Sequence, residues 1–200
     1  MLLLVFLGYL CGSFPSGVLL ARRAGVDVRR AGSGNVGAAN VARTAGLGLG
    51  LATLVADALK GALPALAARW LAADVTLAAG AGLAAFLGHV FPITLRFSGG
   101  KGVATALGVL GVLCPLALLC AAGVFVTAFA LSRYVSVASA LAALAAPAAI
   151  GLLSYPRPVL AVSLMMTAII ELRHSGNFRR LRAGTEPRFA LHKKQAALSR

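Results

Sequence analysis

The sequence predicts an all-α, polytopic integral membrane protein: one domain of seven transmembrane helices, with the N-terminus outside and the C-terminus in the cytoplasm. Of its 200 residues, 60% are hydrophobic and only 12% are charged, whereas soluble domains average about 45–50% and about 25%. One crossing of a ~30 Å hydrocarbon core takes roughly 20 apolar residues, so this content suffices for about five to seven spans. The 23 glycines suit helices that associate through small residues.

The basic residues set the predicted orientation. The formal net charge is +14, which in a soluble protein would first suggest nucleic acid, but the loops lack aromatic residues that stack on bases. Lys and Arg instead lie between apolar runs, as is typical of cytoplasmic loops. The first run, 2–21, has no positive region before it and is followed by Arg22 and Arg23. We therefore expect a first helix with its N-terminus outside, rather than a cleaved signal peptide.

The long apolar tract 102–131 decides the number of spans. If it crossed once, the basic tail after Glu171 would lie outside, against the positive-inside rule. A hairpin that turns near Cys114 and Pro115 keeps the tail inside and gives seven crossings, although each arm, at about 14 residues, is short. The predicted spans are 2–21, 47–68, 75–95, 102–114, 116–131, 135–153 and 158–172, with a cytoplasmic tail over 173–200. Three basic residues then lie away from the cytoplasm: Lys60 in the membrane, and Arg69 and Arg157 outside.

This topology brings the polar, glycine-rich segments to the cytoplasmic side, at the ends of different helices. The first, GSGNVGAANVAR over 32–43, has glycines that permit positive φ and close backbone approach. Free backbone N–H groups, the side chains of Ser33 and Asn35 and the helix that follows would form a phosphate site. Packing of small residues is the alternative, but packing alone does not require two Asn, a Ser and an Arg in this segment.

A second segment, GHVFPITLRFSGGKGVAT over 88–105, contains a glycine loop that opens a helix and also suits phosphate. It is not a Walker A loop for nucleotide hydrolysis, because Lys101 is followed by Gly102 rather than by Ser or Thr. Lys101 could extend to the membrane interface, but the glycines around it favour contact with a ligand. For His89 the sequence leaves two roles open, ligand contact and hydrogen bonding in the core.

A third segment, RHSGNFRRLRAGTE over 173–186, follows the last span. If it is helical, His174 and Asn177 share one face. A histidine at the membrane surface can act as base, acid or hydrogen-bond donor near neutral pH. Arg179, Arg180 and Arg182 are interpreted as positive-inside anchors.

Smaller features complete the candidate set. Asp57 and Lys60, three residues apart in the second span, would either form an ion pair or serve the function directly. Ser136, in RYVS at 133–136, lies at a cytoplasmic turn where it could reach a ligand. The spacing of Cys and His residues matches no metal site, so we expect no metal, no cofactor and activity without a divalent cation.

Five strings carry a resemblance to a known family: GSGNVGAANVAR, DALKG at 57–61, GHVFPITLRFSGGKGVAT, RYVS and RHSGNFRRLRAGTE. In this order and at this spacing, they resemble the bacterial acyl-phosphate-dependent glycerol-3-phosphate acyltransferases over nearly the whole chain. One departure is visible, since Ala39 stands where the first motif of the family usually has Thr. A hydroxyl contact at that position is lost or supplied elsewhere.

The resemblance implies a seven-helix enzyme of the bacterial inner (plasma) membrane with its active site facing the cytoplasm. It would transfer a fatty acyl group from acyl phosphate to the 1-hydroxyl of sn-glycerol 3-phosphate. The products would be lysophosphatidic acid and inorganic phosphate, in the first acylation of phospholipid synthesis. Its partners would be these two substrates, the lipid bilayer and, through supply of the donor, the soluble enzyme that makes acyl phosphate. No nucleic acid is expected.

The resemblance also implies roles for individual residues. The phosphate of the acyl phosphate would be cradled by Ser33, Gly34 and Asn35. Glycerol 3-phosphate would be held by Arg43, Lys101, Ser136, His174 and Asn177. The residues expected to be catalytic are Lys101, His174, Asn177 and Ser33. Further substrate-binding residues are expected at Asn40, His89, Gly99, Gly100 and Gly102.

Acyl phosphate is already activated, so positioning and charge stabilisation can supply most of the acceleration. We therefore expect direct attack without an acyl-enzyme, with either the substrate phosphate or His174 as the base. The HxxxxD pattern of thioester-dependent acyltransferases is absent, because Ile93, Phe178 and Ala196 stand four residues after the histidines. A small anion transporter is the competing class. The motifs, however, collect at one face rather than at the midplane, and no inverted repeat is visible.

Overall fold

The computed structural model describes residues 1–189, and within this part of the chain all regular structure is helical, without strands. The helices are α1 (Leu2–Gly12), α2 (Ser16–Arg22), α3 (Ala38–Ala45), α4 (Leu47–Ala72), α5 (Val75–Val90), α6 (Val103–Leu113), α7 (Pro115–Ser132), α8 (Val135–Leu152), α9 (Arg157–Arg173) and α10 (Ser175–Arg182). A 3₁₀ turn forms at Ile93–Leu95. Residues 190–200, with the predicted cytoplasmic positions of Lys193, Lys194 and Arg200, lie outside the described residues.

Several helical segments are long and apolar enough to cross a membrane. Among the described residues there are 5 such candidates: Leu2–Arg22, which combines α1 and α2, then α4, Val75–Leu95, α7 and α8. A sixth results if α9 and α10, which are bent by 45° relative to each other, count as one span. The all-α membrane fold is therefore confirmed. The count of seven stays a prediction, because it requires α6, which has only 11 residues.

The long apolar tract is broken at Cys114. Helix α6 ends at Leu113 and α7 begins at Pro115, whose missing N–H is tolerated in the first turn of a helix. The arms differ from the expected equal lengths, since α6 has 11 residues and α7 has 18. Only the first arm is therefore short for a crossing.

The outer surface of the bundle is apolar, and its interior combines apolar side chains with buried polar ones. Trp70 at the end of α4 and Leu131 at the end of α7 are 81% and 84% exposed, whereas Thr53 and Asp57 of α4 are buried. Large contiguous apolar surfaces of this kind mark contact with a membrane or another apolar partner. This distribution is the one expected for helices whose outer faces contact lipid.

Glycines bring the helix backbones into direct contact. A Cβ at Gly12 of α1 would lie 1.9 Å from the carbonyl oxygen of Ala85 in α5. One at Gly108 of α6 would lie 1.9 Å from the carbonyl oxygen of Ala58 in α4. A larger side chain at either position would force the two helices apart. Close packing of small residues, as expected from the composition, thus joins α1 to α5 and α4 to α6.

Helix α1 ends at a break that frees carbonyl groups within the first span. Phe14 precedes Pro15, and the residue before a proline avoids helical geometry, so the predicted span 2–21 is interrupted between α1 and α2. The carbonyl of Phe14 accepts a hydrogen bond from Lys60 Nζ at 2.9 Å, and Thr94 Oγ1 donates to the carbonyl of Ser13. Side chains thereby satisfy backbone groups that lipid could not.

Candidate active site

One cavity of about 170 Å³ gathers the polar segments. Most of the predicted site residues line it: Ser33, Asn35, Asn40, Arg43, His89, Lys101, Gly102, Ser136, His174 and Asn177. Three others, Gly34, Gly99 and Gly100, are not among its lining residues. The structure thus brings together side chains from the first polar segment, the glycine loop, the start of α8 and the junction of α9 with α10.

Asn40 shapes the first polar segment. Its buried side chain accepts a hydrogen bond at Oδ1 from the N–H of Ser33 at 2.9 Å. Its Nδ2 lies 2.8–3.1 Å from three backbone carbonyl oxygens of the same loop. The side chain of Asn35 accepts from the N–H of Gly37 at 2.8 Å. Two N–H groups of the segment, expected to be free for phosphate, therefore already have protein partners, and Asn40 acts on the shape of the loop.

The glycine loop folds back over the end of α5. The N–H groups of Gly99 and Gly100 donate to the carbonyls of Val90 and His89, each at 3.2 Å. A Cβ at Gly99 would lie 2.1 Å from the His89 carbonyl oxygen, and one at Gly100 would lie 2.1 Å from His89 Nε2. The two glycines are thus needed for close packing against α5. This packing presents Lys101 to the cavity.

Lys101, Asn177 and Ser136 are joined through the carboxylate of Glu186. Lys101 Nζ donates to Asn177 Oδ1 at 2.5 Å, and Asn177 Nδ2 donates to Glu186 Oε1 at 2.6 Å. Ser136 Oγ donates to the same oxygen at 2.7 Å, and Arg180 Nε donates to Oε2 at 2.8 Å. Glu186 is buried, so it orients the polar groups of three separate segments.

Glu186 also lines the cavity, although it is not among the residues predicted from the sequence. A signal was available, because Glu186 is a single carboxylate in the otherwise basic segment 173–186. A buried carboxylate requires donors or cations as partners, and the arginines treated only as membrane anchors include one of them, Arg180.

The cavity is lined by cationic side chains that are partly buried. Burial lowers the pKa of Lys101 to about 8; the Glu186 carboxylate opposes this shift, and the guanidinium groups of Arg180, Arg43 and Arg173 reinforce it. Burial also lowers the pKa of Arg43, which remains cationic at neutral pH because of its high reference value. Within residues 1–189 the buried Nε of Arg43 has no hydrogen-bond acceptor. An anion in the cavity would supply one and would stabilise the charged form of Lys101.

His174 lies at the bend between α9 and α10. Its buried ring has Nδ1 at 2.8 Å from the carbonyl oxygen of Ile170. A carbonyl only accepts, so Nδ1 carries a proton, and the neutral imidazole then has its lone pair on Nε2. The neighbouring Arg173 donates through Nη2 to the carbonyl of Gly99 at 2.8 Å. This bond ties the bend to the glycine loop.

The ionisable residues of the second span form the expected ion pair. Lys60 Nζ lies 2.8 Å from Asp57 Oδ1, and both side chains are buried. Asp57 also lines the cavity, so the pair adjoins the site. In the described part of the chain, no three His, Cys, Asp or Glu side chains cluster as a metal site would require.

The comparisons with known proteins agree on one family. A family model described as Glycerol-3-phosphate acyltransferase matches residues 2–184. The glycerol-3-phosphate acyltransferase of Geobacter metallireducens is 53% identical over 188 residues, which cover 94% of this chain and 97% of that protein.

The crystal structure of PlsY, an integral membrane glycerol 3-phosphate acyltransferase, in its glycerol 3-phosphate form has a TM-score of 0.91 at 42% identity. That comparison covers 94% of this chain and 95% of PlsY. The lysophosphatidic acid form has a TM-score of 0.88 at 41% identity and covers 95% of each chain. The chain therefore belongs to the glycerol-3-phosphate acyltransferase family and is an integral membrane acyltransferase.

Proposed function

We propose that the protein transfers a fatty acyl group from acyl phosphate to the 1-hydroxyl of sn-glycerol 3-phosphate and releases lysophosphatidic acid and inorganic phosphate. The observation that carries the proposal is the cavity lined by Arg43, Lys101, Ser33 and Ser136, since cations beside neutral donors suit phosphate groups. PlsY is described in a glycerol 3-phosphate form and a lysophosphatidic acid form. These ligands are the acceptor and the product of the proposed reaction.

An apolar side of the cavity supports a lipid donor. Leu54 of α4, Phe125 of α7 and Val135 of α8 line the cavity beside the polar groups. Leu54 is also 39% exposed, so it extends from the cavity to the outer surface of the bundle. A donor with its phosphate among the polar residues would extend its acyl chain along this side toward lipid, where burial of apolar chain is favourable.

The two phosphate groups occupy different parts of the cavity in this proposal. The donor phosphate contacts Ser33 and Asn35, in the loop that Gly34 and Asn40 shape. Glycerol 3-phosphate is held by Arg43, Lys101, Ser136, His174 and Asn177. Lys101 lies between the two groups and stabilises both. Gly99, Gly100 and Gly102 set the position of Lys101 through their packing on α5.

The 1-hydroxyl attacks the acyl carbonyl carbon directly. A bond forms from the glycerol oxygen to this carbon, the bond from the carbon to the phosphate oxygen breaks, and its electron pair leaves with phosphate. The hydroxyl proton ends on the released phosphate, and the lone pair on His174 Nε2 can accept it on the way. The cations of Lys101 and Arg43 stabilise the negative charge that moves onto phosphate. Because the donor is activated, no acyl-enzyme is needed.

The active site faces the cytoplasm in this proposal, and α6 is the short span among seven crossings. The support is the distribution of Lys and Arg, which flank the helix ends that carry the polar segments. Single cysteines at Arg157 and Arg182, in a background without the native cysteines, test the orientation. An impermeant thiol reagent should label the first from outside intact cells and the second only after permeabilisation. The reverse pattern would contradict the topology.

Phosphate release by the purified protein tests the reaction. With long-chain acyl phosphate, release should depend on glycerol 3-phosphate and should fall at least about 100-fold in Lys101→Ala, the scale of losing a charge-stabilising donor. Arg182→Ala is the matched control, because Arg182 is an exposed cation outside the cavity lining. Phosphate release at the same rate with and without glycerol 3-phosphate would refute acyl transfer.

Two further measurements separate this proposal from its alternatives. Mass spectrometry of the protein stopped during turnover should find no acyl adduct on Ser33, Ser136 or any cysteine. Labelled glycerol 3-phosphate incubated with sealed proteoliposomes and acyl phosphate should appear as lysophosphatidic acid. Uptake into the vesicles without lipid product would instead support an anion transporter.

A further inference from the structure

A buried polar cluster of four side chains adjoins the cavity. It consists of Ser16 at the start of α2, Asp57 and Lys60 of α4 and His89 of α5, none of which is more than 7% exposed. Ser16 Oγ donates to Asp57 Oδ1 at 2.5 Å, and Lys60 Nζ lies 2.8 Å from the same oxygen. The acyl transfer proposed above gives no role to Ser16, Asp57 or Lys60.

Lys60 determines which nitrogen of His89 carries the proton. Paired with a carboxylate, Lys60 is an ammonium group, which has three donors and no acceptor. Its three partners are Asp57 Oδ1 at 2.8 Å, the Phe14 carbonyl oxygen at 2.9 Å and His89 Nδ1 at 3.2 Å. Since Lys60 donates to Nδ1, that nitrogen holds the lone pair, and the proton of the neutral imidazole is on Nε2.

His89 lies at the active site, with Nε2 against the glycine loop. His89 lines the cavity, and a Cβ at Gly100 would lie 2.1 Å from Nε2 and 2.9 Å from Cε1. This edge of the ring therefore rests on the loop that carries Lys101. A neutral N–H donor beside an ammonium group is well suited to an oxygen that bears negative charge.

We propose that Asp57 and Lys60 are positioning residues that hold His89 neutral with its proton on Nε2, and that this N–H donates to an oxygen of the acyl phosphate in the cavity. The inference rests on the proposed acyl transfer. It assigns a donor role to His89 and gives the ion pair in the second span a purpose in the reaction.

The position of Asp57 explains why Lys60 is needed. Asp57 Oδ1 lies 3.7 Å from His89 Nδ1. Without the ammonium group, this carboxylate attracts the imidazole proton to Nδ1, and Nε2 then presents a lone pair to an anionic substrate. The charged groups that act on His89 are Asp57 and Lys60 from α4 and Arg173 from α9, while α2 contributes the hydroxyl of Ser16 through Asp57.

The pH dependence of Lys60→Met tests the tautomer. At low pH the imidazole of the variant carries two protons and keeps the Nε2 donor; as pH rises, the remaining proton lies on Nδ1 beside Asp57. We expect the ratio of variant to wild-type kcat to fall about 100-fold as the pH rises through the titration of the imidazole in the variant. Arg69→Met, which removes another cation of α4, is the matched control and should keep the ratio near one at every pH.

A double variant covers the case in which Lys60→Met fails to fold, because an unpaired buried carboxylate is destabilising. Asp57→Asn/Lys60→Met leaves no such charge, and its amide can donate to Nδ1. Its ratio to wild-type kcat should therefore show no fall with pH. A flat ratio for folded Lys60→Met, or a fall in the double variant, would overturn the inference.

Substitutions of His89 test the donor itself, at equal amounts of folded protein as judged by size-exclusion chromatography. His89→Gln carries an amide nitrogen near the position of Nε2, and kcat should stay within about 10-fold of wild type. His89→Asn carries its amide near Nδ1, and His89→Leu carries none, so each should lose about 100-fold. Equal kcat values for His89→Leu and His89→Gln would overturn this inference but would leave the proposed acyl transfer intact. Failure of the acyl transfer itself would appear separately, as wild-type protein that does not respond to glycerol 3-phosphate.

Discussion

Replacement of Glu186 by Gln removes one negative charge from the site and keeps the shape of the side chain. The carboxylate accepts hydrogen bonds from Ser136, Asn177 and Arg180 at 2.6–2.8 Å. Glutamine can keep one oxygen toward Ser136 and Asn177, but its NH₂ group then faces Arg180 Nε, which is also a donor. At least one charge-assisted bond is lost, and two donors oppose each other.

The size of the effect follows from that lost bond. A hydrogen bond to a charged group contributes about 1.5–3 kcal/mol, so we expect the free energy of unfolding to fall by about 2 kcal/mol. The same loss weakens the orientation of Asn177, which accepts from Lys101 at 2.5 Å. If this loss of about 2 kcal/mol also raises the free energy of the transition state in full, kcat/KM falls roughly 30-fold, because 1.4 kcal/mol corresponds to a factor of ten.

Denaturant unfolding in detergent and glycerol-3-phosphate-dependent phosphate release measure the two effects. Glu171→Gln is the control: this carboxylate has a buried Oε1 without a hydrogen-bond partner among the described residues, so the substitution breaks no such bond there and neither quantity should fall. As the pH rises, Glu186→Gln should also begin to lose activity at a lower pH than the wild-type protein does, because the carboxylate of Glu186 raises the pKa of Lys101. Wild-type kcat/KM in Glu186→Gln, or an equal loss in both variants, would refute the reasoning.

Three further outcomes are expected. The ammonium form of Lys101 predominates below its pKa of about 8, so calorimetric binding of glycerol 3-phosphate should weaken as pH rises through about 8, and Lys101→Arg should abolish this dependence. Gly108→Ala, whose methyl group would lie 1.9 Å from the Ala58 carbonyl oxygen, should destabilise the protein by about 1–3 kcal/mol. The matched Gly123→Ala, with nothing within 4 Å of the new Cβ, should not lower the midpoint of thermal unfolding, because alanine is favoured over glycine inside a helix. Activity should persist in excess chelator, and a loss that added metal restores would contradict the absence of a divalent cation.

The membrane helices could be predicted from the sequence, because lipid demands long apolar helices wherever the chain crosses. That requirement acts on each segment separately. The interruption at Pro15 and the short helix α3, which begins within 32–43 and ends at Ala45, were not predicted. The first depends on Lys60 and Thr94 being present to satisfy the freed carbonyls, and those residues are remote in the chain.

The polar segments could also be selected from the sequence, but not the tasks of all their residues. Asn40 has the chemistry of a ligand-binding residue, yet its side chain is occupied by backbone groups of its own loop. Gly99 and Gly100 have the flexibility of a phosphate loop, yet close packing on His89 is what excludes a side chain there. Residue type indicates which bonds a group can make, and the neighbours in space determine which it does make.

By itself, the sequence determined that the chain forms membrane helices and that three polar segments carry the candidate chemistry, because hydropathy, charge and motif are properties of single segments. Only the tertiary structure decided the pairing of donors with acceptors. Lys101 and Asn177 are hydrogen-bonded although 76 positions separate them in the sequence, and Ser136 and Glu186 are hydrogen-bonded across a separation of 50 positions. Hydrogen bonds form only within a few tenths of an ångström of their ideal length, and the packing of separate elements on one another sets these separations. The sequence of one segment does not specify the distance between its donors and the acceptors of another segment.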